Sequence, residues 1–155
     1  MEPSFEQPDA YWAVPEAERP HRTLAGRSHC RIRDAADTER RYFLRVMVPI
    51  PIRGETRPCN WGLWVEVSAR DFQVTWDRWD DADQAREPPF PGVLANSVHG
   101  YSQTLGLPGH VQLTGPTTPP GFTFAQGVDH PLAHEQREGV YPERRLEWLM
   151  QRAHS

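Results

Sequence analysis

The sequence predicts an α+β fold: a mostly antiparallel sheet built from hairpins, with one helix after the central hairpin and a C-terminal helical segment. Three observations predict it. Two neighbouring segments alternate apolar and polar residues with period two. A capped helical pattern follows them, and the end of the chain carries apolar residues at helical spacing. Strands gathered in the middle with helices segregated after them are the mark of an α+β domain.

In "RYFLRVMVPIPIR", Tyr42, Leu44, Val46, Val48, Ile50 and Ile52 stand at alternate positions, which places all six on one face of a strand. Pro49 and Pro51 remove two N–H donors from the same edge, so that end pairs on one side only. After the turn "GETRPCN", the segment "WGLWVEVS" turns Trp61, Leu63, Val65 and Val67 inward and completes an antiparallel hairpin. "SHCRIRD" adds a strand before it. Ser68 and Asp71 form a Ser-x-x-Asp start signal, in which the hydroxyl accepts an early helical N–H. Phe72, Trp76 and Trp79 follow at i, i+4 and i+7 as the inward face of a helix that runs into the acid segment "DRWDDAD". "HVQLTG" and "FTFAQ", joined by "PTTPPG", read as a second hairpin. Leu146, Leu149, Met150 and Ala153 share one face of a terminal helix, with Pro142 suited to its first turn. Residues 1–20, with Pro3, Pro8, Pro15 and Pro20, read as an extended leader with a helical turn at "PEAER". Phe5, Tyr11 and Trp12 pack it on a single domain spanning residues 1–155.

Composition excludes several functions. A chain of 155 residues is long enough for one domain with its own core. Net charge is −4, from 17 basic and 21 acidic residues, and every basic residue other than histidine is arginine. Arg19, Arg22, Arg27, Arg31, Arg33, Arg40 and Arg41 are interleaved with acids rather than drawn into a stripe, which speaks against nucleic acid as a partner. No apolar run reaches the length of a membrane span, and "MEPSFEQPDAYW" lacks a signal-peptide pattern, so the expected location is cytoplasmic with no membrane partner. Cys30 and Cys59 read as reduced, partly buried thiols; neither lies in a Cys-x-x-Cys pair, so no zinc knuckle is expected. The glycine-rich phosphate loops are absent, and no cofactor is expected.

The chemically densest stretch is "DHPLAHEQREGV", residues 129–140. Pro131 suits the first helical position, so the helix starts at His130, and Asp129 or His130 meets its free N–H groups. On this reading Asp129, His130, Pro131, Glu135 and Gln136 are structural and hold no metal. The alternative is a small metal-dependent hydrolase, with His130 and His134 as ligands and Glu135 as base. The order His-x-x-x-His-Glu departs from His-Glu-x-x-His, where the glutamate lies between the ligands. A second polar stretch gathers Asn96, Ser97, His99, Tyr101 and Ser102 without a nucleophile turn, and reads as a loop. Trp64 falls on the strand face opposite Trp61, where it either packs under the leader or stands exposed as a binding anchor. Asp77, Asp80, Asp81 and Asp83 form an acid run able to steer a basic protein. These features predict a non-catalytic cytoplasmic protein-binding domain, such as an immunity protein or antitoxin masking a partner enzyme. Trp64 and the four aspartates are its binding residues.

Three segments carry a family resemblance: "WGLWVEVS" followed by "DF" and Trp79, then "PPFPGVLANSVHGYSQTLGL", and most specifically "DHPLAHEQREGV". With these, the chain resembles an uncharacterised bacterial family, domain of unknown function 2199, from about "YWAVPEAER" to the last helix. The resemblance implies a compact bacterial protein in which "DHPLA" and "EQREG" belong to the shared pattern and the position of His134 does not. Many members begin with a Cys-x-x-Cys-Gly segment suited to zinc. This chain lacks it, so no family metal role carries over.

Overall fold

The computed structural model describes residues 2–153, with side chains through Gln151. Along the chain run α1 (Asp9–Ala13), α2 (Arg19–Arg22), β1 (Thr23–Ala25), β2 (His29–Arg33), β3 (Arg40–Ile50), β4 (Cys59–Val67), α3 (Ala69–Asp77), β5 (Phe90–Leu94), β6 (Pro108–Gln112), β7 (Gly121–Phe124), α4 (Pro131–Glu138) and α5 (Glu143–Ala153). Among the described residues no helix is long and apolar enough to cross a membrane.

The seven strands lie in chain order and every consecutive pair is antiparallel. One further pairing, parallel and limited to Met47 opposite Gly121, joins β3 to β7. It closes β3 to β7 into a five-stranded barrel and leaves β1 and β2 as a two-stranded wing. This corrects the expected hairpin sheet. The closure depends on the length of β3, which carries β2 along residues 40–44 and then turns the same edge toward β7. The hand-over is visible in the donors: Arg45 N–H bonds Ser28 O at 2.9 Å and Met47 N–H bonds Pro120 O at 2.8 Å. Pro49 cannot supply the next donor, which confines the parallel pairing to a single register pair.

Alternation then sorts the side chains. Leu44, Val46, Val48 and Ile50 of β3, and Trp61, Leu63, Val65 and Val67 of β4, point into the barrel and are buried with Val111, Phe122 and Phe124. Each such aliphatic group contributes about 1.5–3 kcal/mol of burial. At Gly109 an added Cβ would strike the Phe122 ring and the Thr123 carbonyl, so the β6–β7 crossing admits only glycine.

A second, smaller core lies outside the barrel: Cys30, Ile32, Phe43 and Trp64, covered by Val14 and Ala95. Here the leader packs. It contains α1, a 3-10 turn at Glu16–Glu18 and α2, and is more helical than its prolines suggested. Phe5 and Tyr11 are half-buried against this core, but Trp12 is exposed. The expected inward faces need two further corrections. Trp61 is buried, yet Trp76 is 56% exposed. Trp79 lies beyond the end of α3 at Asp77, and the buried α3 side chains are Phe72 and Thr75. In α5 the buried side chain is Trp148, whereas Leu146, Leu149 and Met150 face solvent. The side chain of Ala153 lies outside the described ones.

Candidate functional site: an aromatic cleft on the wing

The "DHPLA" segment resolves into a cap. His130 has extended backbone angles and its Nδ1 accepts the Leu132 N–H at 3.1 Å. Its Nε2, which therefore carries the proton, donates to Ser102 O at 2.7 Å. Both ring nitrogens are thus committed to backbone groups. Asp129 does not cap: its exposed carboxylate accepts from His134 Nε2 at 2.7 Å, and this bond holds its pKa below the ordinary carboxylate range. His134 Nδ1 in turn accepts from Arg137 at 3.1 Å. Glu135 points elsewhere again, accepting from the Tyr101 hydroxyl at 2.9 Å and from Arg144 at 3.1 and 3.3 Å. The fold therefore does not bring His130, His134 and Glu135 together around one point. Among the described residues no three His, Cys, Asp or Glu side chains are placed to share an ion.

The neighbouring polar residues also bind the fold to itself. Gln136 accepts from Phe124 N–H at 2.9 Å and donates to Phe122 O at 2.8 Å, which satisfies the β7 edge beyond its one contact with β3. Tyr101 is a hub whose oxygen accepts from Trp148 Nε1 at 3.0 Å and Arg144 at 3.1 Å. Burial, then the Glu135 carboxylate, pushes its pKa up. Asn96, fully buried, accepts from Trp64 N–H at 2.8 Å and donates to Gln7 O at 3.1 Å, tying the leader to β4. Ser97 N–H bonds Asp9 at 2.9 Å. The 96–102 loop is a tether between the leader and the barrel. Cys30 and Cys59 are buried free thiols, and burial raises the Cys30 pKa to about 12.

Trp64 is fully buried and its indole N–H donates to Phe5 O at 3.0 Å. Its expected role as a surface anchor is therefore corrected: the leader covers it. Two tryptophans are exposed, Trp12 on the leader and Trp76 on α3, and Trp76 stands over a cleft. This cleft, about 830 Å³, lies between the wing and α3 and is lined by Leu24, His29, Arg31, Phe72, Trp76 and Trp79, together with Arg27 and Asp80. The His29 ring meets Phe72, Trp76 and Trp79 edge-on at centroid distances of 5.3, 5.2 and 4.7 Å. Burial among these rings lowers the His29 pKa to about 4, and its Nε2 is buried without a hydrogen-bond partner. Leu24, directly across from Arg31 in the register, is 61% exposed. Gln84, buried beneath, donates to Trp79 O at 2.7 Å and fixes the turn that follows α3.

Of the acid run, Asp80 lines this cleft. Asp77 accepts from Gln73 at 2.9 Å, and Asp81 pairs with Arg78 at 3.1 Å while accepting the Asp83 N–H at 2.8 Å. Among the described residues the carboxylates of Asp80 and Asp83 have neither an ion pair nor a side-chain hydrogen bond. Farther along the same face of the wing the fold gathers arginines that are scattered in sequence: Arg22, Arg31, Arg33 and Arg40 line a second, smaller cleft with His21, which shares Leu24 and Arg31 with the first. Leu24 and His29 were not singled out from sequence, and Trp76 was expected on an inward helix face rather than at a site. The signal available was the "AGRS" turn, which makes β1 and β2 a hairpin and puts Leu24 beside Arg31.

No curated protein and no solved structure matches this chain. A family model described as uncharacterised protein conserved in bacteria matches residues 2–140, which leaves α5 outside the match. The chain belongs to that bacterial family, domain of unknown function 2199.

Proposed function

We propose that the chain is a non-catalytic protein-binding domain whose contact surface is the wing cleft, and that its partner is a protein with a basic surface. An immunity protein or antitoxin that masks an enzyme is the biological form this function takes. The observation that carries the reading is Trp76, 56% exposed over the cleft in a molecule that buries Trp61, Trp64 and Trp148, whereas the other exposed tryptophan, Trp12, packs against Tyr11 and Arg19 and lines no part of the cleft. An exposed aromatic patch rimmed by charge is the usual chemistry of a contact surface. Its rings already brace one another through His29, so little side-chain freedom remains to be lost on binding. The cleft volume suits one inserted anchor. Asp80 at the cleft, and Asp83 three residues on, are free of internal counter-charges and favour a basic partner.

The test begins with capture of a partner from the native host and proceeds to binding kinetics. Trp76→Ala speeds dissociation and costs at least about 2 kcal/mol of affinity, as a hot-spot residue does. Neutralising Asp80 and Asp83 slows association and flattens its salt dependence. If both variants bind the captured protein as the wild type does, the proposal fails.

A further inference from the structure

We infer that the floor of the wing cleft receives an anion: Arg31 takes the carboxylate of a partner residue whose apolar side chain lies against Leu24, Trp76 and Trp79. This rests on the binding function proposed above and names what the partner inserts.

Four arginines share this face, and three of them are internally committed. Arg22 donates to Arg33 O and to Glu18, Arg33 donates to His21 O and pairs with Asp37, and Arg40 pairs with Asp37. Arg31 is half-buried and has no hydrogen bond or ion pair from its side chain among the described residues. Two guanidinium groups, Arg27 and Arg31, line the cleft against one carboxylate, Asp80. With His29 uncharged, the lining carries a net positive charge even with Asp80 of the acid run counted in it. The cross-strand pairing of Leu24 with Arg31 sets an apolar side chain directly beside the cation. His29 is two residues from Arg31 on the same face, and its buried Nε2 lacks a partner. A guanidinium bonds a carboxylate through two parallel N–H groups, a geometry that neither a neutral amide nor an ammonium group provides. The ligand chemistry is thus an apolar side chain with a carboxylate at or next to its own residue.

Three probes with one side chain and three charges test this on the full chain, read by tryptophan fluorescence: N-acetylphenylalanine (anionic), its amide (neutral) and phenylalanine amide (cationic). The expected result is that the anion binds at least about tenfold more tightly than either of the others, the size of one charge-assisted contact. Arg31→Gln equalises the three without moving the melting temperature, because Arg31 holds no internal contact, and Trp76→Ala weakens all three. Running acetyl-phenylalanyl-aspartate amide in parallel separates a chain end from an acidic side chain as the source of the carboxylate. The inference is overturned if the cation binds best, if the amide equals the anion, if no probe binds at millimolar concentration, or if Arg31→Gln keeps the preference. A captured partner that depends on Trp76 while the probes show no preference for the anion would overturn this inference alone. A clear preference with no protein partner would overturn the protein-binding function instead.

Discussion

His130 caps α4 with one ring nitrogen and holds the 101–103 loop with the other. His130→Ala removes both bonds and should cost about 2 kcal/mol by denaturant unfolding, somewhat above a lost cap alone. Asp129→Ala should stay within about 0.5 kcal/mol, since it removes only an exposed pair. The sequence placed the helix start through Pro131, but two adjacent side chains with capping chemistry are separable only by backbone direction. His29 gives a pH test. Its folded pKa is about 4 against an ordinary 6.5. As pH falls below 6.5 the unfolded chain takes up a proton that the folded chain refuses until about 4, so stability drops across that window and levels below it. The wild-type melting temperature should fall over this range relative to His29→Leu. Parallel curves would mean that the imidazole is not shielded as described. The swap of roles between Trp64 and Trp76 has a comparable cause. Period two put Trp64 on the outer strand face correctly, but what covers that face is a leader distant in sequence.

At the scale of elements, the barrel-lining residues of β3 and β4 were legible because six and four alternating apolar residues leave one register that buries them. The start of α3 was legible too: Ser68 Oγ accepts the Asp71 N–H at 3.0 Å, as the Ser-x-x-Asp signal requires. β1 and β5 were not. β1 has three residues, and "FPGVL" in β5 carries a proline and a glycine, which mask strand character. The closure of β3 on β7 leaves no local trace, because it is a pairing between distant segments. The α5 face was misread because spacing identifies a stripe but not which stripe faces the core. Trp148 is drawn in by Tyr101 and the Arg144–Glu135 pair. Gln136 stands in for a missing strand partner at β7. Gln136→Leu should cost about 2–4 kcal/mol, because it strands a buried N–H and a buried carbonyl. It should also expose the Phe124 amide to hydrogen exchange. An unchanged exchange rate there would show that α4 does not seal the edge.

For the whole molecule, the barrel is self-sufficient and the wing is the part that reaches beyond it. The barrel's polar groups are consumed in tethers: Asn96 to the leader, Gln136 to β7, Tyr101 to α5. The wing and α3 instead leave Leu24 and Trp76 exposed, and Asp80 and Arg31 with no side-chain hydrogen bond or ion pair among the described residues. The other exposed apolar stripe, Leu146, Leu149 and Met150 on α5, lies outside the family match and supplies a control at a second surface. The most direct measurement is the dissociation rate of the captured partner from Trp76→Ala and from Leu146→Ala, side by side with the wild type. Trp76→Ala should release it at least about 30-fold faster, the rate equivalent of a 2 kcal/mol hot spot, while Leu146→Ala leaves the rate unchanged. Faster release from Leu146→Ala with Trp76→Ala at the wild-type rate would contradict the assignment of the wing cleft as the functional face.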